Sequence, residues 1–178
     1  MTKSLPLSAF RVQIEALCEN PQELIVTEEG QPLFTLLPYE MYQSLLETLD
    51  IVADSQAMSI LQQHLAELKT GRALKAHTLN DCSGTYQVLL TDSAQEILQQ
   101  MDSRSFAHIS ESLKSLSHEP VSKGKALVGS LKGYRSLKTN EDRDQIIYFI
   151  RQKQVVVVFV HSTVEQPNAL LLHLLSNT

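Results

Sequence analysis

Six side chains in the last third of the chain could hold a phosphodiester and move its protons: Lys132, Arg135, Lys138, Arg143, Tyr148 and His161. Cleaving such an ester without a metal takes a base for the attacking hydroxyl, an acid for the leaving oxygen, and cations that stabilise charge on the phosphate. Lysine, arginine, tyrosine and histidine supply all three. Most of these residues fall in short apolar runs that read as strands, and strand side chains alternate between faces. Arg135 and Lys138, three apart, therefore point in opposite directions unless a bulge intervenes. The runs at residues 146–150 and 155–160 are joined by Arg151-Gln152-Lys153-Gln154. They are too continuously apolar to be solvated on both faces, so this hairpin is mostly core, with Arg143 and His161 at its flanks.

The strands that carry these residues form the last part of a longer pattern. Residues 86–90 read as a strand, and a helix follows in which Ser93 is expected to cap and Glu96 to complete a capping box. A second helix is expected from about Ser103 to Ser117, aligning Phe106, Ile109, Leu113 and Leu116 and ending before Pro120. Short strands follow from Leu127 onward. The simplest architecture is an antiparallel sheet with helices on one face. The apolar stretch at 168–177 is too short to span a bilayer and reads as a final helix or strand.

The first part of the chain has its own pattern. A helix over residues 8–19 carries Phe10, Ile14 and Leu17, with Ser8 as the expected cap. A strand, a turn at Glu28–Pro32 and a second strand follow, with Gly30 suited to a positive φ. Met41, Leu45, Leu49 and Val52 mark one face of a helix, widened by Tyr42 and Leu46. Met58, Leu61, Leu65 and Leu68 mark another, closed by Gly71. Residues 71–85 lack periodicity and read as a linker or extended arm.

Composition is that of an ordinary globular protein, 43% apolar and 20% charged, which excludes a disordered or fibrous chain. Residues 1–84 carry 5 Lys/Arg against 11 Asp/Glu and residues 85–178 carry 10 against 9, so the formal charge of −5 is concentrated in the first part. That asymmetry suits two modules with different partners, each other included. Cys18 and Cys82 have neither disulfide-framework nor zinc spacing. No secretion signal or membrane-length apolar run is present, and a cytoplasmic location without membrane association is expected.

Two resemblances follow from these motifs. Ser8 and Arg11, then Val26-Thr27 with Gly30-Gln31-Pro32-Leu33, then Tyr42, Leu45, Glu47, Thr48 and Leu49 resemble the Phd/YefM antitoxins over about residues 5–53. Residues 85–165 look like a RelE/ParE-superfamily toxin in their order of strand, helical hairpin and meander, with residues 127–138, 144–150 and 155–162 standing for the family's strand segments. The implied fold class is α+β: a Phd/YefM-like antitoxin and dimerisation module at 1–53, a toxin-neutralising helix and linker at 54–84, and a RelE/ParE-like module at 85–178 with its helical hairpin on a small antiparallel sheet.

The resemblance implies a self-neutralised type II toxin–antitoxin fusion. Met58, Leu61, Leu65, Leu68 and Leu74 would form the neutralising arm, docked within one chain or exchanged between two. Lys3, Ser8 and Arg11 would contact operator DNA in a homodimeric autorepressor, although Glu28 and Glu29 would repel phosphate there. The implied metal-free endoribonuclease site comprises Lys138, Arg143 and Tyr148, with Arg135 and His161. It is degenerate, because Gln145 stands where the family pattern places an arginine, and a neutral amide lacks the charge that strengthens contacts to phosphate. No cofactor or metal is implied. The alternatives are an active mRNA interferase released from its arm, acting on mRNA at the ribosome, and a ParE-like gyrase inhibitor.

Overall fold

The computed structural model describes residues 3–69, 76–79, 84–139 and 143–162. The chain divides into two compact units, Met1–Leu46 and Glu47–Thr178.

The first unit contains β1 (Lys3–Pro6), α1 (Leu7–Glu19), β2 (Leu24–Glu28), β3 (Gln31–Leu36) and the start of α2 (Tyr39–Ala53). β2 and β3 are the expected hairpin. Glu29 and Gly30 both take positive φ, 49° and 80°, the paired left-handed conformation that matches the twist of a two-residue hairpin. The sequence did not reveal β1, which lies parallel to β2 across α1. Phe10 meets Phe34 edge to face at 5.7 Å. Ser8 does not cap α1, because the helix already starts at Leu7 behind Pro6, and no side chain accepts from its first turn. Proline's fixed φ is compatible with that entry.

The second unit is built on a six-stranded sheet in the order β4-β5-β9-β8-β7-β6. Its strands are β4 (Ala76–Thr78), β5 (Gln87–Thr91), β6 (Lys125–Ala126), β7 (Tyr134–Thr139), β8 (Asp144–Arg151) and β9 (Gln154–Ser162). The sheet is not wholly antiparallel as expected: β5 and β9 pair in parallel. Between them run α4 (Asp92–Gln100), α5 (Ser103–Leu116), the short α6 (Pro120–Lys123) and the β6–β8 meander, so β9 comes back beside β5 in the same direction by a crossover, which parallel pairing requires. The cap of α4 is Thr91, accepting from Ala94 N–H, and not Ser93. α5 is capped by Asp102, which accepts from Arg104 and Ser105.

Helices cover both faces of this sheet and not one. On one side α4 and α5 bury Leu98, Ile109, Leu113 and Leu116 against Ile146, Tyr148, Val155 and Val157. On the other, the end of α2 and all of α3 (Ser55–Lys69) bury Ile51, Ala57 and Leu61 against Tyr134, Ile147 and Phe159. The continuous apolar run of β8 explains this, since Ile146 and Ile147 face opposite cores and each needs a lid. A bulge between Ile147 and Tyr148 gives β9 one extra residue, Val158, and lets Val157 and Val160 face the same core.

The face of α2 that the sequence marks as apolar is the exposed one. Leu49 and Val52 are 53% and 46% exposed, whereas Glu47, Thr48 and Ile51 are buried. Burial follows the polar partners available on the sheet, where Ser136, Lys138 and Gln145 meet Glu47. α2 passes into α3 at Asp54, whose Oδ1 accepts from Gln56 and Ala57 N–H and so caps α3. Residues 70–75 and 80–83 of the expected linker, Leu74 among them, and the stretch 168–177 lie outside the described residues, as does the side chain of Leu68. Among the described residues no helix is long and apolar enough to cross a membrane.

Candidate anion-binding face

Lys138, Gln145 and His161 lie in one row across three neighbouring strands, since Lys138 pairs with Gln145 and Gln145 with His161. Directly paired residues share a face, and Ser136, two before Lys138, shares it too. Over this row run Glu47 and Asp50 of α2 and Asp54 just past its end, at i, i+3 and i+7 on one side.

The contacts converge on Glu47, which is 4% exposed. Its Oε1 accepts from Ser136 Oγ at 2.6 Å and from Gln145 Nε2 at 2.8 Å. Its Oε2 faces Lys138 Nζ at 3.2 Å. Lys138 also reaches Asp50 Oδ2 at 3.1 Å, and His161 Nε2 stands 3.8 Å from Asp54 Oδ2. Beside them Thr48 Oγ1 accepts from Val128 N–H at 3.0 Å. A carboxylate loses hydration when buried, and three donors replace it here. Burial alone would depress the Lys138 ammonium, but Glu47 and Asp50 outweigh it and hold the group above the ordinary lysine value.

Below the polar row the same face is apolar and aromatic. His64 Nδ1 and the Tyr134 hydroxyl are 2.8 Å apart, and both rings pack on Phe149 at 5.6–5.7 Å. Burial pushes the Tyr134 phenol up to about 12.

Of the candidate catalytic residues, the structure brings Lys138 and His161 onto this face. Arg135 and Tyr148 pair with each other in register and make their contacts on the opposite side. There Arg135 Nη2 donates to the Val121 and Gly124 carbonyls, and the fully buried Tyr148 donates to Pro120 O at 2.5 Å. Burial raises the Tyr148 phenol, with Arg135 opposing the shift. Arg143 is exposed just ahead of β8, and Lys132 is exposed ahead of β7. The six do not converge, because strand alternation separates Arg135 and Tyr148 from Lys138 and His161.

Lys3, Ser8 and Arg11 are all exposed, Lys3 on β1 and the other two on α1. Leu61 is fully buried in the α2–α3 core, with Met58 and Leu65 packed at its margin. Sequence reasoning missed Glu47, Asp50 and Asp54 as a set, and His64, Tyr134 and Ser136. The i, i+3, i+7 spacing of the three carboxylates was the available signal. Among the described residues no three His, Cys, Asp or Glu side chains are grouped to hold a metal ion.

No protein-family model matches the chain, and no curated protein matches it. Part of the chain is similar to solved RelE- and YoeB-type structures. One is the toxin–antitoxin complex RelBE2 of Mycobacterium tuberculosis, with 28% identity over 44% of this chain and 99% of that one, at a TM-score of 0.42. Another is the YoeB dimer of Staphylococcus aureus, with 21% identity over 45% and 99%, at 0.37. A third is the archaeal RelE–RelB complex of Pyrococcus horikoshii, with 16% identity over 46% and 99%, at 0.36.

Proposed function

We propose that this chain is a self-neutralised toxin–antitoxin fusion in which α2 and α3 mask the open sheet face of a RelE-like module. The observation that carries this is the seating of Glu47 on Ser136, Lys138 and Gln145, with Asp50 on the same ammonium. A carboxylate held by a cation and two neutral donors occupies the position that an anionic substrate group would take. The apolar side chains Ile51 and Leu61 then close the remaining surface against water. The N-terminal unit, resembling a Phd/YefM antitoxin, dimerises and binds operator DNA through Lys3, Ser8 and Arg11, coupling masking to autorepression.

A second reading is an active endoribonuclease freed when the arm lifts. It is favoured by Lys138 and His161, which then stand uncovered in one row as cation and proton carrier.

Inducible expression of residues 85–178, with and without residues 1–84 supplied separately, tests both. Masking requires that the fragment arrest growth, that residues 1–84 relieve the arrest, and that the intact chain be harmless. Degraded mRNA during arrest selects the ribonuclease, whereas intact mRNA selects a binding toxin. A soluble, folded fragment without effect on growth refutes the proposal. Charge reversal in the intact chain, Glu47→Lys with Asp50→Lys, is the companion test and should unmask the same toxicity.

A further inference from the structure

We infer that Ser136, Lys138 and Gln145 form a carboxylate receptor whose ligand is a glutamate borne on an acidic helix, and that Gln145 sets this specificity against the phosphodiesters of a nucleic acid. The inference rests on the masking proposed above and names what the masked face prefers once uncovered.

The hydrogen-bond directions are closed. Glu47 accepts only, so the Gln145 group at 2.8 Å must be its amide nitrogen. The second amide hydrogen goes to Ser136 Oγ at 2.9 Å. Having accepted there, Ser136 turns its own hydrogen to Glu47 Oε1. Gln145 thus donates to the carboxylate directly and orients the second donor. Lys138 completes the set on Oε2.

This arrangement sets the buried Glu47 against one ammonium, which the more exposed Asp50 shares, and adds two neutral donors that let the carboxylate be buried. Nucleic-acid affinity is built differently, from several cations each neutralising a phosphate. On this face the row offers Lys138 and His161, with a neutral amide between them. Next to the receptor the floor is apolar, Ile147 and Phe159, and it takes Ile51, four residues after Glu47 on the same helix. A helix carrying a glutamate, an acid three residues on and an aliphatic side chain four residues on satisfies donors and floor together. A phosphate strand could accept from the same donors, but its further charges would find few cations on this face and it brings no aliphatic side chain for the floor.

The test uses the full chain with its own helix expelled by Glu47→Lys and Ile51→Lys, substitutions outside the receptor. Three fluorescent probes are titrated: a peptide of residues 45–69, the same peptide with Gln at position 47, and a 12-nucleotide single-stranded RNA. The glutamate peptide should bind at least about tenfold more tightly than either of the others, the effect of one charged hydrogen bond. Adding Gln145→Arg should tighten the RNA by about tenfold and so narrow or abolish the preference for the glutamate peptide over it. Equal binding of the two peptides, or RNA binding that matches the glutamate peptide before Gln145→Arg is added, overturns the inference.

If the expelled chain precipitates, hydrogen exchange on otherwise intact chains decides. Gln145→Leu and Glu47→Gln should each speed exchange of the α3 amides by about tenfold, and the double variant should be little faster than either. Additive effects overturn the receptor. Failure of masking itself looks different: α3 would then exchange as fast in the wild-type chain as in the expelled one.

Discussion

Lys138→Met should destabilise the second unit by about 2–3 kcal/mol at pH 7. Removing one partner of a fully buried ion pair costs roughly 3–5 kcal/mol, but solvent reduces that figure here. The Lys138 side chain is 26% exposed and that of Asp50 40%, so the Asp50 contact adds little, as exposed pairs do. Glu47 is the group that suffers. It stays buried with Ser136 and Gln145 as donors but no cation. Native-state hydrogen exchange of the β8 and β9 amides in dilute urea reads this unit separately. Glu47→Gln should also be destabilising alone, and the double variant should fall short of the sum by about 2 kcal/mol. A cost below about 0.5 kcal/mol, or one unchanged in the Glu47→Gln background, would refute the buried pairing.

Tyr134 should ionise near pH 12 in the folded chain, read from phenolate absorbance. Tyr134, Tyr148 and Lys138 all have folded values raised above their ordinary ones. Their contributions are therefore complete below about pH 10 and are lost as pH rises through the folded values, roughly 3 kcal/mol from Tyr134 alone. Leu61→Ala, at a fully buried position, should cost about 3 kcal/mol and speed exchange of the α3 amides before those of α5. Gly84→Ala should be far more damaging than an ordinary surface change, because the new methyl would meet the Ser117 carbonyl and hydroxyl. A melting temperature within a degree or two of wild type would refute that contact.

Periodicity in the amino-acid sequence determined which segments became helix and strand over most of the described chain, because apolar spacing decides which residues can share a buried face. The hairpin at residues 24–36, α5 and the core position of the 146–160 hairpin could be read this way, whereas helical cover on both faces of the sheet was not. Local competition set the details. Pro6 displaced Ser8 at the start of α1, and Thr91 displaced Ser93 at α4, where neighbouring groups made equally good or better stops. Only the tertiary structure decided the face of α2. By hydropathy Leu45, Leu49 and Val52 belong inside, yet Glu47, Thr48 and Ile51 are buried. The reason is that Ser136, Lys138 and Gln145, about ninety residues away in sequence, supply the donors that make a buried carboxylate affordable. No local pattern records such a match. Strand pairing likewise put Lys138 and His161 in one row and turned Arg135 and Tyr148 to the other side, a separation that depends on register and is settled only when the sheet forms.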